Sequence, residues 1–154
     1  MLSINAVCNE IIKKSISTNT NITPLKLQKL LYLVYAYSLK ENNNKKVFEA
    51  SFSAWQYGPV CIPVYEEFAG FGSNSITCYS KDAQGKAYFP NKEAEQNNPF
   101  FNAFNIVWEK YGKKTGSQLI DITHGTKNSA WYKTPTNLTI KDEYILEDLN
   151  KGVY

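Results

Sequence analysis

One stretch, ITPLKLQKLLYLVYAYSLK at residues 22–40, constrains the fold of this chain more than any other. Thr23 can accept hydrogen bonds from the free N–H groups of a first helical turn, and Pro24 suits the first helical position because it has no N–H to leave unpaired. A helix with apolar side chains on nearly every side must be covered by other elements. The sequence therefore predicts a central buried helix over residues 23–40. Its only polar surface before Lys40 is offered by Lys26, Gln28, Lys29 and Ser38.

The size and composition of the chain predict a single domain spanning residues 1–154. With 154 residues, 43% of them hydrophobic, such a chain can bury about two-thirds of its unfolded surface. No charged segment followed by an apolar one opens the sequence, so no signal peptide is expected and the protein is predicted to be cytoplasmic. The lysines of the central stretch, and its length below the ~20 apolar residues needed, argue against a membrane span.

The cysteines and the basic residues narrow the classes of function. Cys8, Cys61 and Cys78 are an odd number without a close pair, which favours reduced structural thiols over a disulfide framework or a zinc site. All 17 basic residues are lysines, and the net charge is only +3. Without arginine the commonest bidentate contact to guanine is absent, so sequence-specific nucleic-acid binding is disfavoured.

The first half of the chain predicts helices around a short extended segment. Residues 3–16 form a first helix capped by Ser3, followed by the central helix. Alternation then predicts an extended segment over residues 52–57. Gly58 and Pro59 are expected to break this strand and to start a helix over residues 60–71, with Pro63 in its first turn.

The second half predicts three further helices after a polar excursion. In residues 72–98, ITCYS and KAYFP flank KDAQG as strands flank a turn, which indicates a marginal hairpin or a mobile excursion. A helix capped by Asn98 follows over residues 99–111. Thr115 with Gln118 forms a capping box for the next helix, which Gly125 ends. Thr139 is expected to cap a final helix through Lys151. The predicted fold is mainly α, with about six helices around the central one and a small β-hairpin or short-strand component.

His124 is the only histidine and the main candidate for acid–base chemistry. It ends a short helix, where the helix dipole favours a protonated imidazole. The chain has no P-loop, no GxGxxG and no HExxH, and a lone histidine without an acidic cluster cannot form a usual zinc site. A structural histidine is favoured over a general base, and the sequence predicts no catalytic residue, no metal site and no cofactor. The possible catalytic partners of His124 are Asp121, Cys61, Cys78 and Ser117.

The order and spacing of several motifs resemble the Panacea domain family, whose members are also described as SocA-like antitoxins or phage-associated GepA-like proteins. The segments LQKLLYLVYAYSL, FSAWQYGPVCIPVYEEF and GSQLIDITHGTKNSAW, followed by TIKDEYI, carry the resemblance, which covers residues 3–149. Ala130 stands where the family often has proline. The matching positions are Leu30, Leu31, Tyr32, Trp55, Tyr57, Gly58, Pro59, Val60, Tyr65, Ser117, Leu119, Thr123, His124 and Trp131.

The resemblance implies a mostly helical antitoxin that neutralises a cognate toxin by protein–protein binding, with the toxin encoded by an adjacent gene. Some relatives are thought to hand the toxin to a protease, so a proteolytic adaptor is the alternative. Trp55, Tyr57 and Trp131 are either interface anchors or core residues.

Two further functions stay open at this point: a hydrolase that depends on cysteine or histidine, and a nucleic-acid-binding regulator. For the antitoxin, the excursion at residues 72–98 is the leading candidate for the contacting surface, because long loops are often functional. Tyr79, Tyr88 and Phe89 would be its apolar anchors.

Overall fold

The computed structural model describes residues 1–91 and 98–154. These residues contain seven α-helices and one two-stranded antiparallel sheet, so the mainly helical prediction is confirmed. The sheet pairs β1 (Ser53–Trp55) with β2 (Gly58–Val60). The helices are α1 (Ile4–Ser17), α2 (Pro24–Glu41), α3 (Ile62–Phe68), α4 (Pro99–Tyr111), α5 (Gly116–His124), α6 (Ala130–Lys133) and α7 (Asp142–Asn150).

The helix α2 lies at the centre of the fold, as its sequence predicts. It contacts α1, α3, α4, α5, α7 and β2. The Thr23 hydroxyl accepts a hydrogen bond from the Lys26 N–H, and Pro24 occupies the first turn. Leu27, Leu30 and Leu31 are buried on its faces, so burial of this helix by its neighbours is the main source of its stability.

The tyrosine hydroxyls of α2 all find partners at the edge of the core. The Tyr35 hydroxyl donates to Oδ1 of Asp142 at 2.8 Å, and the Tyr37 hydroxyl donates to the carbonyl of Tyr154 at 3.1 Å. The hydroxyls of Tyr32 and Tyr154 lie 2.5 Å apart. These bonds connect α2 to α7 and to the C-terminal residue, because buried tyrosine hydroxyls need partners.

Most of the predicted helix ends are confirmed. Ser3 caps α1, and the Asn98 side chain accepts a hydrogen bond from the N–H of Phe100 at the start of α4. The capping box of Thr115 and Gln118 is present with both of its hydrogen bonds. Such caps satisfy backbone donors that have no partner within the helix.

The prediction for residues 58–61 was wrong. Gly58 and Pro59 do not start a helix, because with Val60 they form the strand β2, in which Gly58 pairs with Trp55. The following helix begins at Ile62, after Cys61, and a 3₁₀ turn over Ala69–Phe71 continues it. Gly58 has φ +110°, which lets the chain reverse directly after β1.

The predicted start of the last helix was also wrong. Thr139 pairs with Ser53 as an isolated β-bridge, and α7 begins three residues later, after Lys141. The short helix α6 lies in a loop for which the sequence predicted no structure.

The excursion at residues 72–98 was expected to be a marginal hairpin or a mobile segment. In its described part, Lys81 and Ala87 form one isolated β-bridge, and no strand is present there. Residues 92–97 lie outside the description. Among the described residues, no helix combines the length and the apolar character needed to cross a membrane.

Candidate functional site

A half-open groove of about 440 Å³ separates the first turns of α2 from the β1–β2 hairpin and α3. Its lining is predominantly apolar and contains no Asp or Glu among the described residues. A concave, mostly apolar surface with a few polar groups is typical of a binding site. The groove is lined by Pro24, Leu25, Gln28, Lys29, Trp55, Gln56, Tyr57, Val60, Tyr65, Ala69 and Gly72.

The walls of the groove expose large apolar side chains. Tyr57 at the hairpin tip is 60% exposed, Tyr65 on α3 is 44% exposed and Leu25 on α2 is 39% exposed. The Tyr65 ring packs edge-on against Trp55, with ring centroids 5.1 Å apart. Exposed aromatic side chains around an apolar depression are typical of protein–protein contact surfaces.

Lys29 forms part of the groove floor and is fully buried. Its Nζ donates a hydrogen bond to the carbonyl oxygen of Pro59 at 3.0 Å, which joins α2 to β2. A Cβ atom at Gly58 would lie 3.0 Å from this Nζ, so the glycine permits the close approach. Burial lowers the pKa of the Lys29 ammonium to about 7, because a low-dielectric surrounding disfavours the charged form.

Gln28 fixes the turn between β2 and α3 through two hydrogen bonds. Its Nε2 donates to the carbonyl of Cys61 at 3.0 Å, and its Oε1 accepts from the Cys61 N–H at 2.8 Å. The expectation that Lys26, Gln28, Lys29 and Ser38 give α2 a polar surface was wrong, since all four are buried. Their polar atoms instead bond to backbone groups, as buried polar groups must.

Behind the hairpin, Trp131 and His124 support the backbone of β1. The indole Nε1 of Trp131 donates to the carbonyl of Trp55 at 2.7 Å, and the imidazole of His124 stacks on the indole with centroids 3.7 Å apart. Burial, together with the nearby positive charge of Lys29, lowers the pKa of His124. Its Nε2 is buried and has no hydrogen-bond partner within residues 1–91 and 98–154.

Four of the positions that carried the family resemblance line this groove, namely Trp55, Tyr57, Val60 and Tyr65. Trp55, Tyr57, Gly58, Pro59 and Val60 form the hairpin. The α5 helix contacts β2. The remaining signature positions are Tyr65 on α3, Thr123 and His124 at the end of α5, Trp131 on α6, the buried Leu119, and the exposed Ser117 in the first turn of α5. Leu30, Leu31 and Tyr32 are buried in α2.

The cysteines and acidic residues offer no obvious reactive constellation in the described part of the chain. Burial raises the pKa of the Cys8 and Cys61 thiols, which keeps them protonated and weakly nucleophilic. Cys78 is exposed, and all three thiols are free. No group of three or more His, Cys, Asp or Glu side chains suited to a metal ion occurs in residues 1–91 and 98–154.

The three aromatic residues proposed as partner anchors lie together on the excursion. The rings of Tyr79 and Phe89 pack edge-on at 5.1 Å, and Lys13 of α1 lies over the Phe89 ring. Phe89 is 39% exposed, whereas Tyr79 and Tyr88 are half-buried. Their role in partner binding stays a prediction.

Comparison with known proteins gives the family. The sequence profile for SocA-like antitoxins with a Panacea domain matches residues 27–132. The chain belongs to this family. The matched region runs from α2 to α6, and therefore includes the hairpin and most of the groove lining.

One curated relative is the antitoxin SocA of Caulobacter vibrioides (strain NA1000 / CB15N), which is 28% identical over 124 residues. The alignment covers 79% of this chain and 64% of the relative, so the chain spans less than two-thirds of that protein's length. No solved structure matches the chain.

Sequence reasoning missed Lys29, Gln28 and Leu25 as parts of the site. A signal for Lys29 was present, because Leu33 and Tyr32 lie one turn away from it on the same side of the helix. A lysine on such an apolar face is buried and needs a partner. The partner, the carbonyl of Pro59, could not be found from helical spacing.

Proposed function

We propose that this chain is the antitoxin of a toxin–antitoxin pair and neutralises its cognate toxin by direct binding in the cytoplasm. Membership of the SocA-like Panacea family supports the antitoxin role. The groove carries the binding part of the proposal, because it combines a mainly apolar lining with the exposed side chains of Leu25, Tyr57 and Tyr65. Tyrosine is among the residues that contribute most of the binding energy at protein interfaces.

We also propose that neutralisation needs no enzymatic activity of this chain. Two of its thiols are buried with raised pKa values, and the His124 imidazole is stacked on Trp131. We expect Cys8→Ala, Cys61→Ala, Cys78→Ala and His124→Gln to keep antitoxin activity in every variant that folds. Loss of activity in a folded Cys61 or His124 variant would favour a hydrolase.

Co-expression with the adjacent gene tests the proposed function. The neighbouring product should halt growth when expressed alone, and this chain should restore growth and co-purify with it. The complex should bury at least about 1,000 Å², as specific interfaces do. A neighbour that is harmless alone contradicts the proposal.

The same assay separates binding from delivery to a protease. Direct neutralisation predicts that the toxin level stays constant while growth recovers and the complex accumulates. A fall in toxin half-life that requires this chain and a host protease would instead show that it acts as an adaptor.

Variants at two surfaces locate the contact. Tyr57→Ala combined with Tyr65→Ala removes exposed aromatic rings from the groove walls. The matched control, Tyr79→Ala combined with Phe89→Ala, removes a pair of rings from the excursion. The groove proposal predicts that only the first variant loses rescue while both remain folded by circular dichroism. Loss of rescue in the second variant alone would place the contact on the excursion.

A further inference from the structure

The floor of the groove holds a buried lysine, Lys29, without an acidic partner among the described residues. The one hydrogen bond that Lys29 Nζ makes among the described residues is to the Pro59 carbonyl, although an ammonium group has three donors. The lining of the groove contains no carboxylate. Buried lysines are normally paired with an anion, because an unpaired buried charge is costly.

The other groups near Lys29 do not compensate its charge. Thr123 Oγ1 lies on the same side of Gly58, but it donates its hydrogen bond to the carbonyl of Leu119 at 2.7 Å. The His124 imidazole is a weak base, and the positive charge of Lys29 disfavours its protonation. Asp121 raises the pKa of His124, but burial is the one cause of the lowered Lys29 pKa among the described residues, so no carboxylate compensates the ammonium there.

Lys26 on the same helix shows what a fully structural lysine looks like in this fold. It is also buried, and its Nζ donates to the carbonyl of Gly112 at 2.6 Å, which stabilises the C-terminal end of α4. A lysine at a helix C-terminus interacts favourably with the helix dipole. Lys26 does not line the groove, whereas Lys29 does and lacks such a dipole partner.

We propose that the groove recognises a toxin segment in which a large apolar side chain stands next to an Asp or Glu, whose carboxylate pairs with the Lys29 ammonium. The apolar side chain fills the space between Leu25, Trp55 and Tyr65, and the carboxylate points to the floor. This inference rests on the proposed antitoxin function and adds the chemistry of the segment that is bound.

Access to Lys29 is controlled by the hairpin tip. Gln56 and Tyr57 are exposed and line the groove together with the lysine, so the proposal requires their side chains to move when a carboxylate enters. Side-chain rotamer changes of this kind are common when interfaces form. The bound segment then excludes water, which strengthens the ion pair.

Two peptides that differ only in charge test this recognition on the intact chain. The probes are acetyl-Phe-Glu-amide and acetyl-Phe-Gln-amide, added at about pH 6, where the lysine is mainly protonated. Binding is followed by NMR shifts of the Trp55 indole and the Val60 methyl groups. We expect the Glu peptide to bind at least about tenfold more tightly than the Gln peptide.

Two lysine variants test whether Lys29 causes the preference for the Glu peptide. Lys29→Met should abolish the preference for the Glu peptide, and Lys26→Met, the matched control, should keep it. Equal binding of the two peptides to the unmodified chain, or no binding of either, overturns the proposal even if Lys29→Met does not fold. Preference for the Glu peptide that survives in a folded Lys29→Met variant also overturns it.

A third probe and the growth assay separate the remaining outcomes. Tight binding of N-acetylphenylalanine in place of the Glu peptide would assign the groove to a chain terminus and overturn the assignment to an acidic side chain. If the neighbouring gene is toxic and is neutralised but the peptides bind equally, the inference fails and the antitoxin function stands. If the Glu peptide is preferred but no neighbour is toxic, the antitoxin function fails and the recognition chemistry stands.

Discussion

The β1–β2 hairpin and the excursion at residues 72–91 are both non-helical and rich in aromatic side chains, but they are attached to the helices in different ways. Side chains from two helices hold the hairpin region, through Lys29, Gln28 and Trp131. The excursion is attached at Ile76, whose N–H donates to the carbonyl of Ile22 at 2.8 Å and whose side chain is buried, and further along by Asn9 of α1. Its Nδ2 donates to the carbonyls of Ser80 and Tyr88, and its Oδ1 accepts from the Ser80 N–H, all at 2.8 Å.

This difference shows how side chains distant in sequence fix the geometry of a candidate contact surface. Several anchors distant in sequence fix the groove, so its geometry is set before any partner arrives. Preorganisation of this kind reduces the entropy lost on binding. The part of the excursion between Ser80 and Tyr88 shares the hydrogen bonds of one side chain, that of Asn9, so one substitution can loosen it locally.

The largest expected effect is on the core that both regions share. Leu31→Ala should lower the free energy of unfolding by ~2–5 kcal/mol, because it leaves a cavity around a fully buried position of α2. Chemical denaturation measures the loss, and amide exchange should speed up in both regions together. Leu25→Ala on the same helix, at a 39% exposed position, is the control. A loss below ~0.5 kcal/mol for Leu31→Ala would place that side chain at the surface.

The second-largest expected loss of stability should be confined to the excursion. Asn9→Ala removes three hydrogen bonds, two of them buried, and should cost about 2–4 kcal/mol, since the backbone groups of Ser80 and Tyr88 lose this side-chain partner. Hydrogen exchange of the Ser80 amide should accelerate, while the Cys61 amide, bonded to Gln28, stays protected. Asn5→Ala on the same helix is the control. Equal acceleration at both amides would show that the two regions do not open independently.

The third effect is a pH dependence that belongs to the groove. The pKa of Lys29 is about 7 in the folded chain and near 10.4 when unfolded. Between these values the unfolded state binds more protons, so stability should rise with pH. From pH 7 to 9 the rise should be at most about 1.4 kcal/mol per pH unit.

Denaturation midpoints measured across this range check the pH dependence. Lys29→Met should flatten the slope. Lys26→Met tests how much of the remaining slope comes from the second buried lysine, whose pKa burial also lowers. An unchanged slope in Lys29→Met would show that Lys29 is not the titrating group.

The smallest expected loss of stability comes from a substitution in the hairpin turn. Gly58→Ala should cost about 1–3 kcal/mol, because alanine is strained at φ +110° and its Cβ would press on the Lys29 side chain. Gly72→Ala is the matched control, at φ +58° with no atom within 4 Å of a Cβ. The control should cost less, as measured by thermal unfolding. Equal losses would show that contact with Lys29 adds nothing to the backbone strain.

The sequence by itself determined the central helix and most helix ends. Thr23, Asn98 and the Thr115–Gln118 pair are local signals, because a cap bonds to backbone within three residues of itself. The apolar side chains on nearly every side of α2 likewise predict that other elements cover this helix. The family resemblance depended on the order of such local motifs. The extent of the domain stays a prediction.

Only the tertiary structure decided the groove. Lys29 reaches a carbonyl 30 residues away, and Trp131 reaches one 76 residues away, and no periodicity encodes either contact. The strand β2 forms at Gly58–Val60 because Ser53–Trp55 offers it backbone partners. Residues 137–140 bond to the opposite edge of β1, so Thr139 pairs with Ser53 instead of capping α7. Backbone hydrogen bonds between distant segments form wherever packing brings them together, so the burial of Lys29 and the shape of the groove followed from the assembled core.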